Sequence, residues 1–156
     1  DPAELSPGEF ACRIARAVAD GCRLVVIDTL NGYLNAMPGE SYLNNQLHEL
    51  SAYLNQQGVV TIFVLAQHGL LAAARAPVDL SYLADTVISA RYFEAAGHVR
   101  KAVSVIKKRS GPHETAIREL ALVPHVGMRI GEPLTDFQGV LTGLPSFRGD
   151  LSQMIE

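Results

Sequence analysis

Apolar residues recur at helical spacing in Phe10, Ile14, Ala17 and Val18. Ser6, Pro7 and Glu9 stand in front of them as a capping box with proline at the first helical position, and Gly21 follows as a stop, so the pattern predicts a helix. Arg23-Leu-Val-Val-Ile-Asp28 comes next, a short β-branched run ending on a carboxylate, which reads as a buried parallel strand. A loop is expected over Asn31 to Glu40, where Gly32, Pro38 and Gly39 interrupt the pattern. Leu43, Leu47, Leu50 and Leu54 then predict a second amphipathic helix before Gly58. Val59 to Ala66 predicts a second buried strand that closes on the polar pair Gln67 and His68.

Beyond residue 68 the pattern changes from crossovers to hairpins. A loop from Gly69 to Pro77 and a turn at Ser81 to Asp85 lead into alternating segments at Thr86 to Phe93 and Val99 to Lys108, joined by Glu94-Ala-Ala-Gly97. Thr115 to Val123 and Gly127 to Ile130 predict another hairpin, turning at Pro124-His-Val-Gly127. From Glu132 onward there is no periodicity, and the tail is expected to be irregular. The whole string is α/β: parallel strands with crossover helices, followed by antiparallel hairpins in a mixed sheet. Parallel strands joined by a crossover put Asp28 and Gln67 on one carboxyl edge, where open α/β sheets bind ligands.

Composition narrows the function classes. The 156 residues are 48% hydrophobic and 19% charged, with a formal net charge of -3, which leaves no overall electrostatic footprint for nucleic acid or anionic lipid. One domain is the expectation from length. The apolar run at Val59 to Ala66 is far shorter than the roughly 18 to 20 residues of a membrane-spanning helix. No signal-peptide pattern opens the chain, and Cys12 and Cys22 fall at opposite ends of one helix, so a reducing, cytoplasmic compartment is expected. The four residues His48, His68, His98 and His125 lack metal-ligand spacing. Asp1 in place of Met, close to a helix cap, points to a portion upstream of this sequence.

Asp28 after four apolar residues is the Walker B pattern, although any strand can end on Asp at a turn. The longer stretch Val25-Val-Ile-Asp28-Thr-Leu-Asn-Gly-Tyr-Leu-Asn-Ala-Met-Pro38 resembles the Walker B segment of bacterial KaiC-like ATPases of the RecA superfamily. Leu50-Ser-Ala-Tyr-Leu-Asn-Gln-Gln-Gly58, Ala66-Gln-His-Gly69, Asp79-Leu-Ser-Tyr-Leu-Ala-Asp-Thr-Val87, Arg91-Tyr-Phe-Glu94, Ile106-Lys-Lys-Arg-Ser-Gly111 and Gly131-Glu-Pro-Leu134 resemble later blocks of that family in the same order. The resemblance covers nearly the whole chain. It implies a partial RecA-like core over residues 1–131 and an irregular tail over 132–156.

The resemblance also implies roles. Asp28 would anchor magnesium through water, with Thr29 beside it, and Gln67 would sense the terminal phosphate of ATP. Lys107 and Arg109 match a Lys-x-Arg motif that reaches the neighbouring subunit's nucleotide, and His113 falls on the sugar side. Independently, residues i and i+2 of a strand share a face, so Lys107 and Arg109 converge on one polyanion while Lys108 points away. The implied assembly is a homo-oligomeric ring or hexamer that hydrolyses ATP, with protein Ser or Thr phosphorylation open to the parent and signalling proteins as further partners.

The departures count as much as the matches. No G-x-x-x-x-G-K-[ST] occurs, and none of the thirteen glycines is followed by Lys, so the nest of backbone N–H groups that cradles phosphates is absent from this sequence. The Glu pair that polarises the attacking water in relatives has no counterpart here. The chain therefore reads as the carboxyl-terminal part of an ATPase core, inactive alone. A non-enzymatic scaffold or signalling module is the alternative, and a recombinase-like nucleic-acid binder a third. Five basic residues lie between Arg100 and Arg109, but the loops that would meet nucleic acid hold Arg75 against Glu40 and Asp79, which is too little positive charge for a phosphate backbone. A P-loop upstream of Asp1 would separate the ATPase from the scaffold.

Overall fold

The computed structural model describes residues 5–36, 42–66, 82–142 and 145–149. The chain forms two compact units, residues 1–67 and 68–156.

The first unit opens with α1 (Pro7–Ala19). Its capping box is formed: Ser6 Oγ accepts from the Glu9 amide at 3.3 Å, and Glu9 Oε2 accepts from the Ser6 amide at 2.9 Å. β1 (Leu24–Asp28) runs parallel to β2 (Val60–Val64), with Leu24 opposite Val60 and Asp28 opposite Val64. Between them lie α2 (Leu30–Ala36) and α3 (Leu43–Gln56). The four leucines of α3 are all buried, and Leu50 and Leu54 form a core with Val18 and Val59, against which Phe10, Ile14 and Val25 pack. The opposite face of the parallel pair presents Leu24, Val26, Val60 and Ile62 as exposed residues.

Helix α2 corrects the expected loop over Asn31 to Glu40; residues 37–41 lie outside the described ones. Thr29 Oγ1 accepts from the Gly32 amide at 3.2 Å, and the Thr29 carbonyl accepts from the Tyr33 amide, so Thr29 caps this helix. Leu30 and Tyr33 are 1% and 2% exposed. Burial of that i, i+3 pair outweighs the helix penalty of about 1 kcal/mol that a glycine carries.

The second unit is antiparallel. β3 (Thr86–Ala95), β4 (His98–Lys108), β5 (Arg118–Val123) and β6 (Gly127–Pro133) form one sheet in sequence order. The β3–β4 turn is tighter than the expected four-residue connection: Ala95 pairs with His98, and only Ala96 and Gly97 remain between them, both at positive φ. That is the requirement of a two-residue hairpin turn matching strand twist. In the tail, β7 (Phe137–Gln138) pairs with β8 (Ser146–Phe147), with a 3-10 turn at Val140–Thr142. Phe93, Ala95, Ala102 and Val140 make the core, and Phe137 stacks edge-on against Phe93 and Phe147.

The architecture is α/β, a parallel pair with crossover helices followed by antiparallel hairpins, and it is consistent with a partial RecA-like core. Among the described residues the parallel and antiparallel strands are hydrogen bonded in separate sheets. No helix among the described residues is long and apolar enough to cross a membrane.

Candidate functional site

The carboxyl edge of the parallel pair is built by backbone and one amide side chain. Asp28 is the last residue of β1, exposed, directly after buried Ile27. Past it the chain enters α2, where Asn31, only 8% exposed, accepts from the Ala66 amide through Oδ1 at 2.8 Å. That bond joins residues 35 positions apart and ties the exit of β2 to the start of α2. Gln67 follows Ala66 and lies outside the described residues. Thr29 Oγ1 accepts the cap bond of α2, a structural role that the sequence pattern does not reveal, and its O–H remains a donor. Asn31 was also not singled out by the sequence, where it is one polar residue between Leu30 and Gly32.

A magnesium ion keeps several waters and takes one or two carboxylates plus phosphate oxygens. An exposed carboxylate at a strand end suits that habit. Among the described residues no group of three or more His, Cys, Asp or Glu side chains is arranged to hold a metal alone.

The basic residues lie in the second unit. Lys107 stands opposite Val87 and Lys108 opposite Thr86, and the register skips Ile106. Lys107 is half-buried and Lys108 exposed. Lys108 Nζ donates to the Pro112 carbonyl at 3.1 Å, closing the turn that contains Gly111. His113 is exposed in the same connection. Arg109 is one residue past β4, so its direction is set by contacts and not by strand alternation. Its amide donates to the Asp85 carbonyl at 2.7 Å, Nη1 lies 3.1 Å from Asp85 Oδ1, and Nη2 donates to the Tyr82 carbonyl at 3.1 Å.

A second charged cluster went unread in the sequence. Arg100 Nε and Nη2 donate to both oxygens of Glu119 at 2.8 and 2.6 Å, and the guanidinium lies within 6 Å of the Phe93 and Phe137 rings. The side-chain hydrogen bond from Arg100, then its charge, hold the Glu119 carboxyl below the usual range, and the same bond raises Arg100. Arg100, Glu119 and Phe137 border a cavity of about 340 Å³ that Asp136 and Phe147 also line. With the arginine fork already committed to Glu119, the cluster reads as a fastening between β4, β5 and the tail.

A family model described as "ATPase: KaiC" matches residues 4–135. The chain is 32% identical over 99 residues to "Circadian clock protein KaiC3" of Synechocystis sp., covering 63% of this chain and 19% of that protein. It is 23% identical over 123 residues to "Circadian clock oscillator protein KaiC" of Synechococcus elongatus, covering 78% of this chain and 23% of that protein. A third relative of the same description, from Acaryochloris marina, is 29% identical over 82 residues, covering 49% of this chain and 16% of that protein. The chain thus spans about a fifth of the length of these relatives.

Proposed function

The chain belongs to the KaiC ATPase family, and from that premise we propose that it supplies the Walker B aspartate and a trans-acting Lys-x-Arg to ATP hydrolysis by a ring-shaped homo-oligomer in the cytoplasm. The family implies nucleotide binding in general; ATP with magnesium is the specific reading. The observation that carries it is the edge where Asp28 ends β1, with Asn31 holding the exit of β2 alongside. Open α/β sheets bind nucleotides at such an edge.

In this reading Asp28 would help hold a magnesium ion through water, and Gln67 would donate toward the terminal phosphate. Bound magnesium neutralises charge on the phosphate oxygens. Lys107 and Arg109 bring one compact ammonium and one planar guanidinium to the γ-phosphate oxygens of the neighbouring subunit, where charge spreads as the bond breaks. His113 contacts the sugar side. Residues 1–131 act as the carboxyl-terminal part of the ATPase domain and 132–156 as its tail.

The test mixes subunits of the full-length protein. Arg109→Ala and Lys107→Ala each lower ATPase activity, and Lys108→Ala changes it little. Arginines supplied in trans are worth about 10³ to 10⁵ in rate in other phosphoryl-transfer systems, so even a partial role is measurable. Mixing Arg109→Ala subunits with subunits disabled in phosphate binding restores activity, because one of each completes one site. Mixtures that never exceed the separate mutants, with subunit exchange verified, refute the assignment.

A scaffold or signalling module is the second reading. Under it the full-length protein assembles and binds partners, and Asp28, Lys107 and Arg109 variants leave that assembly unaltered.

A further inference from the structure

Arg109 lies beyond the last strand residue, on an exposed end of the sheet, yet it is held at three points. The backbone bond to the Asp85 carbonyl extends the β3–β4 ladder by one step beyond the Thr86–Lys108 pair. The guanidinium then reaches the Asp85 carboxylate with Nη1 and the Tyr82 carbonyl with Nη2. A guanidinium carries five N–H donors in a rigid plane. Here Nη2 donates one of them to the Tyr82 carbonyl and Nη1 is ion-paired with Asp85, which leaves donors along the rest of the plane to meet phosphate oxygens. A long, exposed arginine otherwise samples many rotamers, and ordering it on a ligand carries an entropic cost.

We propose that Asp85 is the positioning residue of Arg109, holding one flank of the guanidinium so that its remaining donors are pre-oriented for the neighbouring subunit's triphosphate. The proposal rests on the trans reading of Arg109 above. The Tyr82 carbonyl is the second anchor, a backbone group that no side-chain substitution removes. Lys108 has a different partner, the Pro112 carbonyl. Both members of the pair are well exposed, at 59% and 60%, and exposed pairs are weak, so a modest effect is expected.

The experiment uses the full-length protein with Asp85→Ala, Asp85→Glu, Arg109→Ala and the double variant. Two quantities are measured: steady-state ATPase kinetics, and the rate at which a dicarbonyl reagent modifies Arg109 in nucleotide-free protein, read by mass spectrometry against Arg129 in the same sample. Asp85→Ala lowers kcat about two- to fivefold with KM changed by less than about twofold, and Asp85→Glu restores most of the loss. The double variant matches Arg109→Ala, and Arg109 is modified faster once Asp85 is gone. A kcat that is unchanged or raised by Asp85→Ala, a loss that persists on the Arg109→Ala background, or an unaltered modification rate overturns the proposal while leaving the trans reading standing. An Arg109→Ala protein with the parent's kcat removes the trans reading and this proposal with it.

Discussion

At Asp28 one exposed carboxylate ends a strand whose preceding residue is buried, so its contribution to packing is small and its position is fixed by the ladder. Asp28→Asn keeps the shape and removes the charge. In the full-length protein it is expected to lower magnesium-dependent turnover about 10- to 100-fold, the range for residues that orient a metal through its ligands, while thermal unfolding shifts little. Equal losses of activity and stability would assign Asp28 to the fold. Glu119 makes a different residue-scale case. The hydrogen bond from Arg100 lowers its carboxyl in the folded state, so the pair contributes stability above the unfolded carboxyl value, about 4.3, and loses it as pH falls through the folded value. Urea midpoints measured down the acid limb should therefore fall less steeply for Glu119→Gln than for the parent. Some slope remains, because backbone bonds from Ser6 and Ala116 lower Glu9 and Glu114 in the same direction.

Among the elements, those with a strong local signal were legible and those made by tertiary contacts were not. The capping box at Ser6 and the leucine spacing of α3 each encode a helix within one stretch of chain, and both helices form there. Helix α2 has no such signal: Gly32 argues against it locally, and only burial of Leu30 and Tyr33 with the Thr29 cap reveals why it forms. Strands β7 and β8 have two residues each, too short to show a period, and are fixed by stacking of Phe137 and Phe147. The candidate site divides in the same way. Asp28 was readable as a strand end. The i, i+2 spacing of Lys107 and Arg109 does not set their directions, because Arg109 lies past β4 and is directed by Asp85 and Tyr82, and Asn31 acts through a partner 35 residues away. Asn31→Ala leaves the Ala66 amide without its acceptor, at a cost of about 1–3 kcal/mol, and hydrogen exchange at Ala66 should rise. Asn31→Asp keeps an acceptor and should retain more of the protection; equal exchange in all three proteins would show that the bond does not hold the edge.

For the molecule as a whole, the order of sequence blocks identified the family, and the same reading bounds what 156 residues can bind. Micromolar affinity corresponds to roughly 8 kcal/mol. In P-loop enzymes the phosphates are held by nested backbone N–H groups and a lysine, and no glycine of this sequence precedes a lysine. Asp28 is itself an anion, unfavourable to a triphosphate unless a cation stands between them. Of the basic candidates, Lys107 and Arg109 serve the neighbouring subunit's nucleotide in the trans reading above, and an exposed lysine or arginine contributes little to a phosphate in free exchange with water. Titration calorimetry of residues 1–156 with magnesium-ATP, on protein shown by circular dichroism to be folded, should give no low-micromolar binding. Added salt should weaken whatever heat is seen, since only screened surface charge remains to produce it. A saturable low-micromolar isotherm that survives salt would mean that the chain holds phosphate through donors other than a glycine-rich loop, and Asp28→Asn would then tell whether its carboxyl edge is the place: loss of magnesium dependence locates the site there, and no change moves it elsewhere in the chain.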